Sequence, residues 1–182
     1  MFTIFIIHGY AGHSKENWFP WLEKELTKFG HQVIVPNFPD SSYPRLSSWL
    51  EYFATFKQNP DQDAMIIGHS LGGAFLLRAL EQYRFKAAFL VASVSGPIGH
   101  PVDALIANFT HQPFSWARIT NNCQNFQVFH SDNDPYIPLG QAELLARKLN
   151  TTMTLIKNGG HLNSLAGYKE FPLLLERIRS IC

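Results

Sequence analysis

Three short stretches of this chain carry the side-chain types that nucleophilic catalysis requires. Gly68-His69-Ser70-Leu71-Gly72 sets a serine between two glycines in the G-x-S-x-G spacing. His130-Ser131-Asp132-Asn133-Asp134-Pro135-Tyr136-Ile137-Pro138 offers two carboxylates, and Gly159-Gly160-His161 ends on an imidazole. A serine hydroxyl is a weak nucleophile until a base takes its proton, and an acid must hold that base in the right tautomer. Serine, aspartate and histidine occur here in a chain order that is known to assemble such a set. On these residues alone, Asp132 and Asp134 are both candidates for the acid.

The G-x-S-x-G spacing is weak by itself, and its setting gives it weight. The apolar run Ala64–Ile67 leads straight into it, and a helical pattern opens at Leu71. A strand-turn-helix junction of this kind holds a serine on a sharp turn with its hydroxyl projecting from the sheet edge. The helix start adds free amide hydrogens where a tetrahedral oxyanion would form. One oxyanion donor is expected from Leu71, the residue after the serine. The other is expected in the loop after the first strand, His8-Gly9-Tyr10-Ala11-Gly12; Tyr10 is the first choice, with Gly9 and Ala11 as neighbours.

The elements that must bring these groups together are legible as an alternation. Apolar runs occur at Phe2–Ile7, Gln32–Val35, Ala64–Ile67, Ala87–Ala92, Phe126–Phe129 and Thr152–Ile156. Most are apolar at nearly every position, as strands covered on both faces are. The last alternates and reads as an edge strand. Between them, helical periodicity spans Trp18–Phe29, Ser47–Lys57, Leu71–Tyr83, Leu139–Leu149 and Tyr168–Ile181. This pattern predicts an α/β fold of three layers: a six-stranded, mostly parallel sheet with helices on both faces. The expected strand order is 2-1-3-4-5-6, with the site outside the strands' carboxyl ends at the switch between strands one and three. The whole chain reads as one domain of 182 residues.

One stretch breaks the rhythm. Ser93–Asn122 carries Pro97, Gly99, Pro101 and Pro113, and its aromatics Phe109, Phe114 and Trp116 follow no clean period. A long irregular connection in a compact domain is commonly functional, so it is read as one wall of a substrate pocket. Phe114 and Trp116, together with Trp18 and His69 beside the catalytic loops, are therefore the candidate substrate-binding residues.

At this point the chain resembles an α/β-hydrolase of minimal size. It is similar in particular to the small serine-hydrolase family that includes retinoblastoma-binding protein nine and bacterial relatives. The resemblance rests on the glycine turn after strand one, Gly-His-Ser-Leu-Gly, the Asp-Asn-Asp-Pro acid loop and the late Gly-His, and it covers nearly the whole chain. In that family the acid stands in the frame that Asp134-Pro135-Tyr136-Ile137-Pro138 fits, which implies Asp134 over Asp132. The resemblance implies a lidless hydrolase of small esters or activated amides that needs no cofactor. His8-Gly9-Tyr10 departs from the Pro-Gly or other Gly-rich turn that close relatives often have, which bears on the subfamily more than on the chemistry.

Composition narrows the alternatives. With 15 basic against 14 acidic residues, the net charge of +1 gives no long-range attraction to nucleic acid or anionic membranes. No apolar run reaches the roughly 20 residues of a membrane-spanning helix, and Met1–Ile7 lacks the basic flank of a signal peptide. Cys123 and Cys182 make no disulfide framework, so a cytoplasmic location is expected. His8, His69, His130 and His161 all fall near predicted strand ends, yet no metal-ligand spacing links them, and no metal is expected. The leading function is a serine hydrolase that cleaves small ester or amide substrates through an acyl-enzyme on Ser70, His161 and Asp134. The rival is a protein-binding module on the same scaffold, its partner unidentified, and a lyase or cofactor-free oxygenase using the same triad is a third reading.

Overall fold

A computed structural model describes residues 1–56 and 64–182. The six strands found among them form one fully parallel sheet in the order β2-β1-β3-β4-β5-β6. They are β1 (Thr3–Ile7), β2 (Gln32–Ile34), β3 (Ala64–His69), β4 (Ala87–Val91), β5 (Phe126–Ser131) and β6 (Met153–Ile156). The expected strand order therefore holds, and the sheet has no antiparallel member. Every residue of β3 and β4 is buried, as continuous apolar runs in a two-sided sheet demand. β6 at the edge is only half-buried, and Leu155 there is exposed.

Helices α1 (Phe19–Lys28), α2 (Leu46–Ala54), α3 (Leu71–Leu80), α4 (Asp103–Thr110), α5 (Trp116–Asn122), α6 (Leu139–Lys148) and α7 (Pro172–Arg179) cover the two faces. One apolar layer packs α2, α3, α4 and α6 against Phe5, Ile7, Ile66, Leu90 and Val128. The other packs α1 and α7 against Ile4, Ile6, Ile67, Val91 and Phe129. Alternate residues of each strand thus serve opposite layers, the period-two rule at work in a three-layer domain. Among the largest wholly buried side chains are Trp18, Trp49, Phe53 and Phe75.

Local chemistry sets the helix ends. Pro20 sits in the first turn of α1, where its missing amide hydrogen costs nothing. At the other end Gly30 adopts φ +81°, and the amides of Gly30 and His31 return to the carbonyls of Thr27 and Leu26. The final helix begins at Pro172 rather than at Tyr168, because proline at the first position opens a helix and disfavours helical geometry before it. The expected second helix ran to Lys57, which lies outside the described residues.

The connection from Ser93 to Asn122 is more regular than expected, since it contains α4 and α5. Arg78 ties this connection to α3. Its guanidinium is almost wholly buried and donates to the carbonyls of Phe109 (3.1 Å), Gln112 (2.5 Å) and Pro113 (3.3 Å), while Glu81 balances its charge at 3.1 Å. A buried charge is tolerated only when its donors are matched in this way. The helix that follows Ser70, α3, is thereby tied to this connection.

Candidate active site

The turn at Ser70 is strained and fixed. Ser70 has φ 56° and ψ −121°, outside the common regions for a non-glycine residue. It is held there from β4: its amide donates to the Val91 carbonyl at 3.0 Å, and its carbonyl accepts from Val94 at 3.1 Å. The flanking glycines answer to close approach. A β-carbon on Gly68 would collide with the backbone of Gly72, and one on Gly72 would collide with the carbonyls of Ile7 and His8. The G-x-S-x-G spacing is thus a packing requirement of β1, β3 and α3 as well as a chemical signature.

Asp134 and His161 meet at the same edge. His161 Nδ1 lies 2.8 Å from Asp134 Oδ2, and the carboxylate is almost wholly buried. Asp134 Oδ1 accepts from the amides of Tyr136 (2.9 Å) and Ile137 (3.1 Å), which fixes the other oxygen on the imidazole. Burial alone would raise the pKa of this carboxyl. The bond and charge of His161, with the two amides, outweigh burial and hold it below its ordinary 3.8.

The neighbours of Asp134 explain why two acids stand in one loop. Asp132 Oδ1 accepts from the amide of Asn158, and Asn133 Oδ1 accepts from the amide of Gly160, both at 2.8 Å. Ser131 Oγ supports Asn133 in turn, donating to its Oδ1 at 2.6 Å. These side chains fasten the acid loop to the loop that carries His161, leaving Asp134 free for the imidazole. Sequence reasoning did not assign them these roles, although the Asp-Asn-Asp spacing was in view.

The buried histidines act on the backbone. His8 Nε2 accepts from the Phe38 amide at 3.0 Å, so Nδ1 carries the proton and donates to the Gly9 carbonyl at 2.9 Å. His69 Nε2 donates to the His161 carbonyl at 3.0 Å, and His130 Nε2 donates to the Ile137 carbonyl at 3.1 Å. Each holds a loop of the site: the turn after β1, the histidine loop and the acid loop. Burial keeps all three neutral, lowering His8 and His130 and taking His69 down to about 3. The Nδ1 atoms of His69 and His130 are buried without a partner. Among the described residues no three His, Cys, Asp or Glu side chains converge as metal ligands.

These groups surround a cavity of about 400 Å³ that Gly9, Tyr10, His69, Ser70, Leu71 and His161 line along its floor. Ser70 and His161 share this cavity, and Ser70 Oγ makes no hydrogen bond among the described residues. Such links commonly tighten only when substrate is bound. The Ala11 amide donates to the Ser41 carbonyl at 2.8 Å and so is taken. That leaves Tyr10 and Gly9 as candidate donors from the loop after β1, facing Leu71 at the start of α3.

Three expected pocket residues lie elsewhere. Trp18 is wholly buried in the α1/α7 layer, where its Nε1 donates to the Leu162 carbonyl at 3.0 Å. Its indole braces the histidine loop from behind and does not line the cavity. Phe114 packs flat beneath the Arg78 guanidinium, 4.0 Å from its ring centre, and Trp116 packs on Phe114 at 5.4 Å. Both serve the arginine that ties α3 to the connection. The expected wall does come from that connection, through Val94, Ile98, Val102 and Ile106. His69 does line the cavity, as expected.

Comparison with known proteins places the chain. It is similar to YdeN of Bacillus subtilis (strain 168), with 27% identity over 97% of this chain and 94% of that protein. The crystal structure of the ydeN gene product superposes with a TM-score of 0.92, covering 100% of this chain and 98% of that one at 26% identity. The serine hydrolase RBBP9 of Rattus norvegicus is 28% identical over 97% of this chain and 93% of its own length. Est1E from Butyrivibrio proteoclasticus shares the fold at a TM-score of 0.74, with 17% identity over 98% of this chain and 86% of that one. The serine hydrolase family model matches residues 4–180, and with an α/β-hydrolase sheet beneath it this chain belongs to the serine hydrolase family.

Proposed function

We propose that this hydrolase cleaves small ester or activated amide substrates by acyl transfer to Ser70. His161 takes the serine proton as Oγ attacks the carbonyl carbon, and Asp134 holds the imidazole with Nε2 toward the cavity. The amides of Leu71 and Tyr10 receive the developing oxyanion. His161 then protonates the leaving group, and water admitted to the same position hydrolyses the acyl-enzyme. A single domain without cofactor suffices for these steps. Two free cysteines, one of them buried, accord with a reducing cytoplasmic compartment.

The observation that carries the reading is the 2.8 Å contact of His161 Nδ1 with Asp134, in a cavity whose floor is Ser70 on a strained turn. Nothing in packing requires a buried carboxylate, an imidazole and a strained serine at one cavity. The test is hydrolysis of p-nitrophenyl butyrate by wild type and by Ser70→Ala. An initial burst of p-nitrophenol in the wild type, abolished in the variant, is the expected outcome. Equal turnover by the variant would remove Ser70 from the mechanism.

A further inference from the structure

The cavity crosses the upper edge of the sheet, so its two ends belong to different layers. One end is mainly aliphatic, formed by Val94, Ile98, Val102 and Ile106 with Ile137 from the acid loop, and His100 is the one imidazole among them. Val94, Ile106 and Ile137 continue the core of the α3/α6 face. The other end is mainly polar, formed by Glu16 and Asn17 after β1 and by Asn163 and Ser164 after β6, with Leu165 next to them. These flank Trp18, Phe19 and Leu162 of the α1/α7 face. The Ser164 amide donates to Asn17 Oδ1 at 2.9 Å, which joins the two loops into one wall.

Chemistry decides which end takes which half of a substrate. His161 enters from the polar end, on the loop that continues into Leu162 and Asn163; its ring lies 4.9 Å from His69, which packs edge-on against Trp18 and Phe19, and 4.9 Å from Tyr136 of the acid loop. The histidine that removes the serine proton must pass it to the departing oxygen or nitrogen. The leaving group therefore lies toward Glu16 and Asn163, and the acyl chain extends the opposite way, onto the aliphatic wall.

Glu16 is the one carboxylate among the described residues that line the cavity, and the aliphatic end has no counterpart. None of the ion pairs among the described residues involves it. Its carboxylate lies over the loop that carries Tyr10, since a β-carbon on Gly12 would collide with it. Half-burial raises its pKa, against the opposing pull of the His13 charge and backbone amide, so the ionised form is short of solvent and a bound cation would stabilise it further.

We infer that the substrates are esters of a short aliphatic acid with a cationic alcohol, the acyl group against Val94 and Ile106 and the positive nitrogen against Glu16. The inference rests on the Ser70 mechanism proposed above and adds the substrate class. Butyrylcholine and 3,3-dimethylbutyl butyrate test it, because they share acyl group and shape and differ by one charge. The wild type should favour the choline ester in kcat/KM by about fivefold or more, near the upper range for a half-exposed ion pair. In Glu16→Gln that ratio should fall to about one. A second measurement on the wild type alone guards against a variant that misfolds: the ratio should shrink as salt rises from about 0.02 to 0.5 M. Equal rates on both esters in the wild type, or a preference that survives Glu16→Gln and high salt, would overturn the inference. Turnover of neither ester by protein that a fluorophosphonate still labels at Ser70 would overturn it while leaving the hydrolase mechanism standing. Failure of that labelling as well would remove both.

Discussion

The two sides of the cavity are held by different means. On the Ser70 side the serine turn itself is fixed by backbone: Ser70 is pinned between Val91 and Val94, and Gly68 and Gly72 admit no side chain. The aliphatic side hangs on polar side chains, with Gln141 and Asp103 added to Arg78. Gln141 receives the Ser95 amide at 3.2 Å and donates to the Pro97 carbonyl at 2.5 Å, and the Asp103 carboxylate collects the amides of Ile98, Gly99 and His100. Backbone packing cannot be altered without disturbing three elements at once, whereas one substitution can reshape a wall hung on Gln141. The difference separates the part of the molecule that fixes the reaction from the part free to vary in what it accepts.

Breaking the catalytic side should have the largest effect. Asp134→Asn should lower kcat/KM by about 10⁴-fold, the loss expected when the base is left in the wrong tautomer. Asp132→Asn, which loosens only the grip on Asn158, should retain most of the rate; comparable losses in both would show that the two acids share the role. Next in size, Gly72→Ala should destabilise the fold by about 2 kcal/mol through overpacking against Ile7 and His8. Thermal unfolding should register this as a drop of about 4 to 8 °C. On the variable side, Gln141→Ala should shift the preferred acyl length in a p-nitrophenyl ester series by a few-fold. Its stability cost should be only about 1 kcal/mol, and an unchanged length profile would mean the wall does not depend on that side chain.

The pH dependence of stability sharpens the same contrast. His69 binds a proton in the unfolded chain near 6.5 but in the folded chain only near 3. Acidification between those values therefore favours unfolding, and His69→Gln should remove the His69 share of the loss across that window while the buried His8 and His130 keep theirs. Asp134 acts lower. Its folded pKa lies below the ordinary 3.8, so its contribution is complete above that value and is lost as the pH falls through the depressed one. Denaturant titrations between pH 7 and 3 distinguish the two, because the His69 slope should disappear from its variant while the Asp134 slope remains.

Much of the fold was legible because the buried parallel strands are apolar throughout. Ala64–Ile67 and Ala87–Ala92 allow little else, and glycines at 68 and 72 mark the turn between strand and helix. The Asp-Asn-Asp run was visible as chemistry, but its division of labour depends on which backbone each oxygen meets. Aromatic residues misled for a similar reason. Trp18, Phe114 and Trp116 lie near the site in sequence, and a side chain's type does not say which layer it enters. Trp18 turns inward because its indole must find the Leu162 carbonyl, and Phe114 because Arg78 needs a cover. Arg78 itself sits on the apolar helix α3, where periodicity would place an aliphatic residue. Glu16 reads as one surface charge among many until the loop after β1 folds it into the cavity.

The central claim is that Ser70 becomes the nucleophile only through the pair formed by His161 and Asp134. The most direct measurement is the rate of fluorophosphonate labelling, with the modified residue located by peptide mass spectrometry, in wild type, Asp134→Asn and Ser70→Ala. One label per chain on Ser70 in the wild type, strongly slowed in Asp134→Asn and absent in Ser70→Ala, is the predicted result. Labelling of Ser70 at the same rate with and without the Asp134 carboxylate would contradict it.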